Sequence, residues 1–285
     1  MDKKTVNVSI VAANYNNGRY LDDFFNSIRA STVLPKELIL IDDGSSDNSL
    51  SIIGKYSELP YLKLIRFKKN RGFCHALNSG IEAATGKYIL RIDPDDIMLK
   101  NRIALQFGFL EKNREVDVLG SNVIYFNDKT GKELMISNFP EHHNEIAKEY
   151  RKGDHGVQHP AVMVKSSVFK QYKYNQENVL AEDYEIFARM IKNGHKFANI
   201  KEPLVKMRIH AESAGSNIKF QTIKKTFELR DEIFNTSTSW LSVKLYYCFM
   251  LNYRRFLISG NSLLKSLYLA AAVICNPKKL LNRLF

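Results

Sequence analysis

The first third of the chain alternates two patterns. "VNVSIVAANYN" is a nearly continuous apolar run ending in polar residues, which predicts a strand covered on both faces in a parallel sheet. Leu21, Phe24, Phe25 and Ile28 then recur at i, i+3, i+4 and i+7, one face of a helix. "ELILIDDGSSD" predicts a strand running into a turn, "NSLSIIGKYS" a helix and "YLKLIRF" a strand. "GFCHALNSGIEAAT" predicts a further helix, and "KYILRID" a strand that ends in acid. Repeated β-α-β units imply an α/β protein with a doubly wound sheet. Ligands of such sheets bind beyond the carboxyl ends of the strands. Asn14–Asn16, Asp42–Ser45 and Asp93–Asp96 all fall at such ends, so three polar clusters are expected to meet.

Beyond about residue 115 the order is mixed. "VDVLGSNVIYF" and "PAVMVKSSVF" read as strands, and "EPLVKMRIHAES" as a short strand into a loop. "LAEDYEIFARMIKNGHKF" reads as a helix closed by a left-handed Gly194. Residues 217–285 are helical in character. In "WLSVKLYYCFMLNYRRFLI", at 240–258, Lys244, Arg254 and Arg255 interrupt the aromatic residues. "LYLAAAVIC", at 267–275, is far shorter than the ~20 apolar residues of a membrane span.

Composition sharpens the division. Of the net charge of +12, residues 201–285 carry +9, from 14 Lys or Arg against 5 Asp or Glu, and no acid follows Glu232. A basic, aromatic tail on a nearly balanced domain suits an anionic surface. Helices lying in a membrane headgroup region are one reading, and helices packed over the α/β domain are the other. A hydrophobic content of 45% supports a packed core. Cys74, Cys248 and Cys275 have no CxxC spacing, which argues against a disulfide framework and suits a reducing compartment. The N-terminus lacks the apolar segment of a signal peptide, so a cytoplasmic location is expected.

The candidate chemistry centres on "LRIDPDDIML" at 90–99, where Asp93, Asp95 and Asp96 crowd together. Asp closes turns through its side chain, so such a cluster can be a turn alone. It can also hold a hard divalent cation, Mn2+ or Mg2+, that bridges to substrate phosphates. No GxxxxGK[ST] loop is present, and no GxGxxG follows the first strand, so P-loop and dinucleotide sites are excluded. His155 and His159 have i, i+4 spacing, but Gly156 and Pro160 argue against a shared helix face and a zinc site. Glu182 and Asp183 open a helix, where acids favour the helix dipole or serve as a general base.

Six segments occur in order: "VSIVAANYNNGRYLDDFFNSI", "ELILIDDGSSDNS", "NRGFCHALNSGIEAATGKYILRIDPDD", "HPAVMVKSSVF", "AEDYEIFARM" and "MRIHAES". Together, over about residues 6–215, the chain resembles the inverting family 2 nucleotide-sugar glycosyltransferases, with their GT-A fold. Ala13 departs from the pattern, where the family usually has Pro. The resemblance implies a GT-A domain at 1–216 and a basic helical tail at 217–285. It places Ala13 and Tyr15 beside the nucleotide, with the Tyr15 ring flanking the base. Asp43 corresponds to the carboxylate that accepts a hydrogen bond from the base, with Asp42 sharing that work or capping the turn. Asp93 corresponds to the ribose or metal-shell carboxylate, Asp95 to the direct metal ligand, and Asp96 to a supporting or capping residue. Arg71 either helps neutralise the donor or is a surface arginine. His210 corresponds to a further metal contact. Asp183 corresponds to the general base, while Glu182 and His159 orient the acceptor.

The function these roles imply is a metal-dependent, inverting transferase of hexosyl or N-acetylhexosaminyl type. Its donor would be a UDP-sugar or dTDP-sugar. Its acceptor would be a hydroxyl of a glycan or lipid-linked oligosaccharide, in surface polysaccharide synthesis at the inner face of a bacterial-type membrane. A nucleotidyltransferase is the nearest competing enzyme, but it leaves the Glu182–Asp183 helix start without a role. A non-enzymatic protein whose basic tail binds membrane or nucleic acid leaves three polar strand ends unexplained. No nucleic-acid partner is expected.

Overall fold

The computed structural model describes residues 3–210, 219–259 and 261–276. The chain forms two compact units, residues 1–210 and 211–285. The expected boundary at 216/217, and Ala211–Ser213 of the last quoted motif, lie outside the described residues.

In the first unit, β1 (Thr5–Asn14), β2 (Leu34–Asp42), β3 (Leu62–Arg66) and β4 (Tyr88–Arg91) are separated by α1 (Gly18–Arg29), α2 (Ser49–Gly54) and α3 (Phe73–Ala83). These four strands pair in parallel, in the order β3-β2-β1-β4. β1 explains its own unbroken apolar run. Val6, Val8, Ile10 and Ala12 join a cluster with Leu21, Phe24, Phe25 and Ile28 of α1. Val11 faces the other way, toward α3. A Cβ on Gly80 of α3 would come within 2.7 Å of Val11 Cγ1 and 2.5 Å of Ile41 Cδ1, so glycine lets the helix lie close to the sheet.

The mixed half continues with β5 (Ile97–Met98), α4 (Arg102–Lys112), β6 (Val118–Asn127), β7 (Glu133–Ile136) and α5 (His143–Lys152). A 3-10 turn (His159–Ala161), β8 (Met163–Lys165), α6 (Ser166–Gln171), a second 3-10 turn (Gln176–Asn178), α7 (Glu182–Lys192) and β9 (Phe197–Ile209) follow. The full sheet runs β3-β2-β1-β4-β8-β6-β9-β5, with β7 paired to β6. β8 is antiparallel to β4 and to β6, while β9 is parallel to β6. The expected mixed, doubly wound sheet is thus present.

Three element readings are corrected. "SSVF" is the start of α6, not strand, since β8 stops at Lys165. α7 ends at Lys192, and Phe197 already belongs to β9. Gly194 does close α7, with φ +88, its amide on Ile191 O and the next amide on Met190 O. β9 is not short: ten of its 13 residues pair with β6, with register shifts at Ser121–Val123. The ladder there skips Lys201 and Glu202, which interrupt the apolar pattern, and then Leu204, with Pro203 opposite Asn122. Asn122 fastens this bulge, donating to Lys201 O at 2.8 Å.

The second unit contains α8 (Phe220–Phe234), α9 (Trp240–Ile258) and α10 (Ser262–Cys275), as the helical reading expected. Phe227, Val243 and Tyr246 bury the contact of α8 with α9, and Phe249, Tyr253 and Ala272 that of α9 with α10. Trp240, Leu263 and Ile274 stay 60%, 70% and 82% exposed. Among the described residues, no helix is long and apolar enough to cross a membrane.

Candidate active site

The carboxyl ends of β1 and β2 make the first corner. Asn14 is fully buried and donates to Asp42 Oδ1 at 2.9 Å and to Ser45 Oγ at 3.1 Å. Asp42 Oδ2 accepts from Ser45 N at 3.3 Å, so this carboxylate closes the turn. Gly44 has φ +71, and a Cβ there would meet Lys69 C at 2.5 Å, so the turn requires glycine. Asp43 is buried, and its oxygens accept from the amides of Arg71 at 2.7 Å and Gly72 at 2.9 Å. Each oxygen keeps a further lone pair for a ligand. Arg71 is thereby drawn to this corner, its guanidinium 5.2 Å from the Phe67 ring. Ala13 is buried in β1, while the neighbouring Tyr15 is 47% exposed, an open ring face at the strand end.

The end of β4 makes the second corner. The buried Arg91 guanidinium is 2.6 Å from Asp93 Oδ1. His210 Nε2 is 3.1 Å from Asp95 Oδ2. Asp96 is buried; its Oδ1 accepts from Arg208 N at 2.9 Å, while Oδ2 has no hydrogen-bond partner among the described residues. Burial, then the charge of Asp93, pushes the Asp95 carboxyl up against the pull of His210. Burial and both neighbouring carboxylates push Asp96 well above the usual range.

Arg208, of β9, ties this corner together. Its guanidinium donates to Asp95 O at 2.8 Å, Asp128 Oδ1 at 2.8 Å and Asp23 Oδ2 at 2.7 Å. It also lies 4.7 Å and 4.8 Å from the Tyr20 and Phe126 rings. This places His210, two residues on, against the acidic turn.

The start of α7 makes the third corner. Asp183 Oδ1 accepts from Tyr184 N at 2.8 Å, and Oδ2 lies 3.3 Å from His155 Nε2. Burial alone would raise this carboxyl, but His155 and the Tyr184 amide outweigh it and hold Asp183 well below the usual range. Glu182 goes the other way, pushed up to about 8 by burial and by the charge of Asp183. Two adjacent carboxyls therefore titrate far apart, with Asp183 ionised and Glu182 protonated near neutrality. His159 is buried, its Nε2 is 2.6 Å from Tyr174 Oη, and burial with the charge of Arg91 pushes it down to about 3. It is a neutral, tethered imidazole. Arg91 lies 5.3 Å from the Phe73 ring, whose centroid is 6.3 Å from that of His159, so the second and third corners adjoin.

The acidic corner fits a hard divalent cation. Asp93, Asp95 and Asp96 each offer an oxygen, all within 4.8 Å of one another. Burial and mutual repulsion, which raise the Asp95 and Asp96 carboxyls, are what a bound cation would offset, and Asp96 Oδ2 has no hydrogen-bond partner among the described residues. His210 Nε2, in hydrogen-bond contact with Asp95 Oδ2 at 3.1 Å, would add a nitrogen donor beside these oxygens.

The sequence reading assigned no role to Arg91 or Arg208 and considered His155 only for zinc. A charge inside the apolar run "YILRID" was the available signal for Arg91. Nothing local marked Arg208, whose carboxylate partners lie 80 and 185 positions away.

Comparison with known proteins gives concordant matches. The model of "Glycosyl transferase family 2" matches residues 9–192. An uncharacterized glycosyltransferase of Methanocaldococcus jannaschii is 32% identical over 252 residues, covering 87% of this chain and 83% of the relative. An Escherichia coli protein named UDP-Gal:alpha-D-GlcNAc-diphosphoundecaprenol beta-1,3-galactosyltransferase is 32% identical over 217 residues, covering 75% of this chain and 78% of the relative. The crystal structure of S. aureus TarS residues 1–349 with UDP-GlcNAc is similar in fold, with TM-score 0.66 and 19% identity, over 94% of this chain and 80% of that one.

Proposed function

The chain belongs to glycosyl transferase family 2 and has the GT-A fold, and from there we propose a metal-dependent, inverting transferase that takes its sugar from a UDP-sugar or dTDP-sugar. The observation that carries this reading is the convergence of Asp93, Asp95 and Asp96 with the Glu182–Asp183 helix start. One corner suits a diphosphate with its cation, and the other suits an incoming hydroxyl.

In this reading Asp43 accepts the imide N–H of the base, and the open Tyr15 ring stacks on it, beside Ala13. Asp95 and His210 hold Mn2+ or Mg2+, with Asp93 and Asp96 around them and Arg71 near the donor. A cation bound there would supply Lewis-acid stabilisation to the leaving diphosphate. Arg91 holds Asp93 in place by its ion pair. Asp183, ionised at neutral pH, takes the proton of the acceptor hydroxyl as its oxygen attacks the anomeric carbon. A single displacement inverts that centre and needs no enzyme nucleophile. Protonated Glu182 donates a hydrogen bond that orients the acceptor, and His159 supports the same wall through Tyr174.

The acceptor class is a glycan or lipid-linked oligosaccharide, and the transferred group a hexosyl or N-acetylhexosaminyl residue. The name of the E. coli relative supports this class. Residues 1–216 would carry the chemistry. Residues 217–285, with Lys244 Nζ 3.6 Å above the Trp240 ring, would meet an anionic membrane at its inner face. Surface polysaccharide assembly follows from that placement.

Incubation with UDP-sugars and Mn2+ tests the reading. UDP release on sugar transfer is expected, and it should fall by about 10²–10⁴ in Asp183→Asn with donor affinity kept within a few-fold. Release of pyrophosphate instead would identify a nucleotidyltransferase. Loss of donor binding in Asp183→Asn would move Asp183 into the donor site.

A further inference from the structure

β4 and β8 part where the site begins. Their ladder runs from Tyr88–Lys165 to Leu90–Met163, and Arg91 N still donates to Val162 O at 3.0 Å. Beyond that point β4 leads to Asp93, and the segment before β8 leads back through Ala161 to His159. Where strands part, the ladder no longer pairs every buried carbonyl, and an unpaired one is costly. Two side chains of α4 reach into this gap. Arg102 and Gln106 are both fully buried and stand four apart on one face of the helix. Arg102 Nη2 donates to Arg91 O at 2.8 Å and to Val162 O at 3.2 Å. Gln106 Nε2 donates to Ala161 O at 2.9 Å and to Leu119 O of β6 at 3.0 Å. Arg102 Nε donates to Gln106 Oε1 at 3.0 Å, which fixes the two side chains against each other.

Stability alone accounts poorly for this arrangement. The hydrogen-bond partners of Arg102 among the described residues are two carbonyls and the Gln106 amide, none of them a carboxylate. A guanidinium taken out of water without a paired anion is costly. What it supplies is a rigid, planar fork of donors that sets direction and distance. The carbonyls held by the pair belong to both sides of the site. Arg91 pairs with Asp93 at 2.6 Å. Ala161 closes the 3-10 turn that begins at His159, whose Nε2 is 2.6 Å from Tyr174 Oη. Arg91 and His159 also adjoin the same Phe73 ring.

Resting on the reading of Asp93 and His159 as the donor and acceptor sides of a transferase, we propose that Arg102 and Gln106 are positioning residues that brace the end of β4 against the His159 turn and so set the geometry of sugar transfer. They act through Arg91 and His159 and touch neither Asp43 nor Asp95, so their effect lies in turnover rather than in donor affinity. A misplacement on the order of 1 Å between reacting groups costs about 10²-fold in rate.

Full-length Gln106→Met and Leu110→Ala separate positioning from stability. Gln106→Met keeps the side-chain length and loses three hydrogen bonds. Leu110 is a buried apolar residue of the same helix, so Leu110→Ala loosens α4 without removing any of those bonds. Urea unfolding sets a temperature at which each variant is folded. There, UDP release is followed with Mn2+ and whichever of UDP-GlcNAc, UDP-galactose and UDP-glucose the wild type uses fastest, beside calorimetric UDP affinity. Gln106→Met should lower kcat by about tenfold or more and keep UDP affinity within about threefold, while Leu110→Ala keeps the wild-type kcat. Arg102→Lys, which retains a donor for one carbonyl, should turn over faster than Arg102→Met; equal rates would remove Arg102 from the brace. A wild-type kcat in Gln106→Met, an equal fall in Leu110→Ala, or a parallel loss of UDP affinity in Gln106→Met would overturn the positioning role. The His159 ring gives a readout that needs no turnover. Its nitrogen NMR signals, assigned with His159→Gln, should move in Gln106→Met and stay in place in Leu110→Ala, and unmoved signals in Gln106→Met would also overturn the role. A wild type that releases no UDP would instead overturn the transferase reading, and the His159 signals would then decide the brace alone.

Discussion

Glu182 and Asp183 are neighbours with opposite electrostatics, and the difference has a measurable consequence. Glu182 is protonated below about 8 and becomes a second buried anion above it. Because its carboxyl is raised, the hydrogen-bond donor is present at lower pH and is lost as pH rises through about 8. The pH profile of sugar transfer should therefore fall on the alkaline side near that value. Glu182→Gln, an amide that donates at every pH, should keep most of the activity and lose that limb. A wild-type alkaline limb in Glu182→Gln would show that another group sets it. At this scale the acids were legible in the sequence because their spacing and strand-end positions are local features. The partners that set their charge states were not. His155 lies 28 positions from Asp183 in the chain, and Arg208, whose amide donates to the Asp96 carboxylate, lies 112 from Asp96.

Between elements, buried polar residues join strands and turns. Glu37 of β2 accepts from Ser9 Oγ of β1 at 2.5 Å, from Thr85 N at 2.6 Å and from Lys63 Nζ of β3 at 2.6 Å. Burial would raise its carboxyl, but the Lys63, Ser9 and Thr85 hydrogen bonds outweigh this and lower it to about 2. A depressed carboxyl adds stability above its unfolded value, and that stability is lost as pH falls toward about 2. Glu37→Gln should cost about 3 kcal/mol at pH 7 and flatten the acid side of the stability curve, measured by urea unfolding. An unchanged acid slope would remove Glu37 from that role. The β-α-β alternation was readable because β1, β2 and β4 are buried on both faces along most of their length. The length of β9 was not, since its bulge interrupts the apolar run and only pairing with β6 continues it. Lys165, Ser166 and Ser167 break the apolar run before Val168 and Phe169 resume it, and that break was the available signal for the change to helix at Ser166.

Across the whole molecule, charge is as informative as fold. The +9 carried by residues 201–285 predicts salt-sensitive binding to anionic vesicles by the full chain. Lys244→Glu with Lys265→Glu should weaken that binding at low salt, measured by co-sedimentation. Equal binding by this variant would favour a packing role for the tail. Mixed strand order placed the acidic turn, the histidine after β9 and the helix start in one site, which no local pattern specified. The most direct measurement is a calorimetric titration of UDP into wild type and Asp95→Asn, with and without Mn2+. Wild type should bind UDP at least tenfold more tightly with Mn2+, and Asp95→Asn should lose that gain while staying folded. Metal-independent UDP binding, or a full Mn2+ effect in Asp95→Asn, would contradict a nucleotide-sugar site built on the acidic turn.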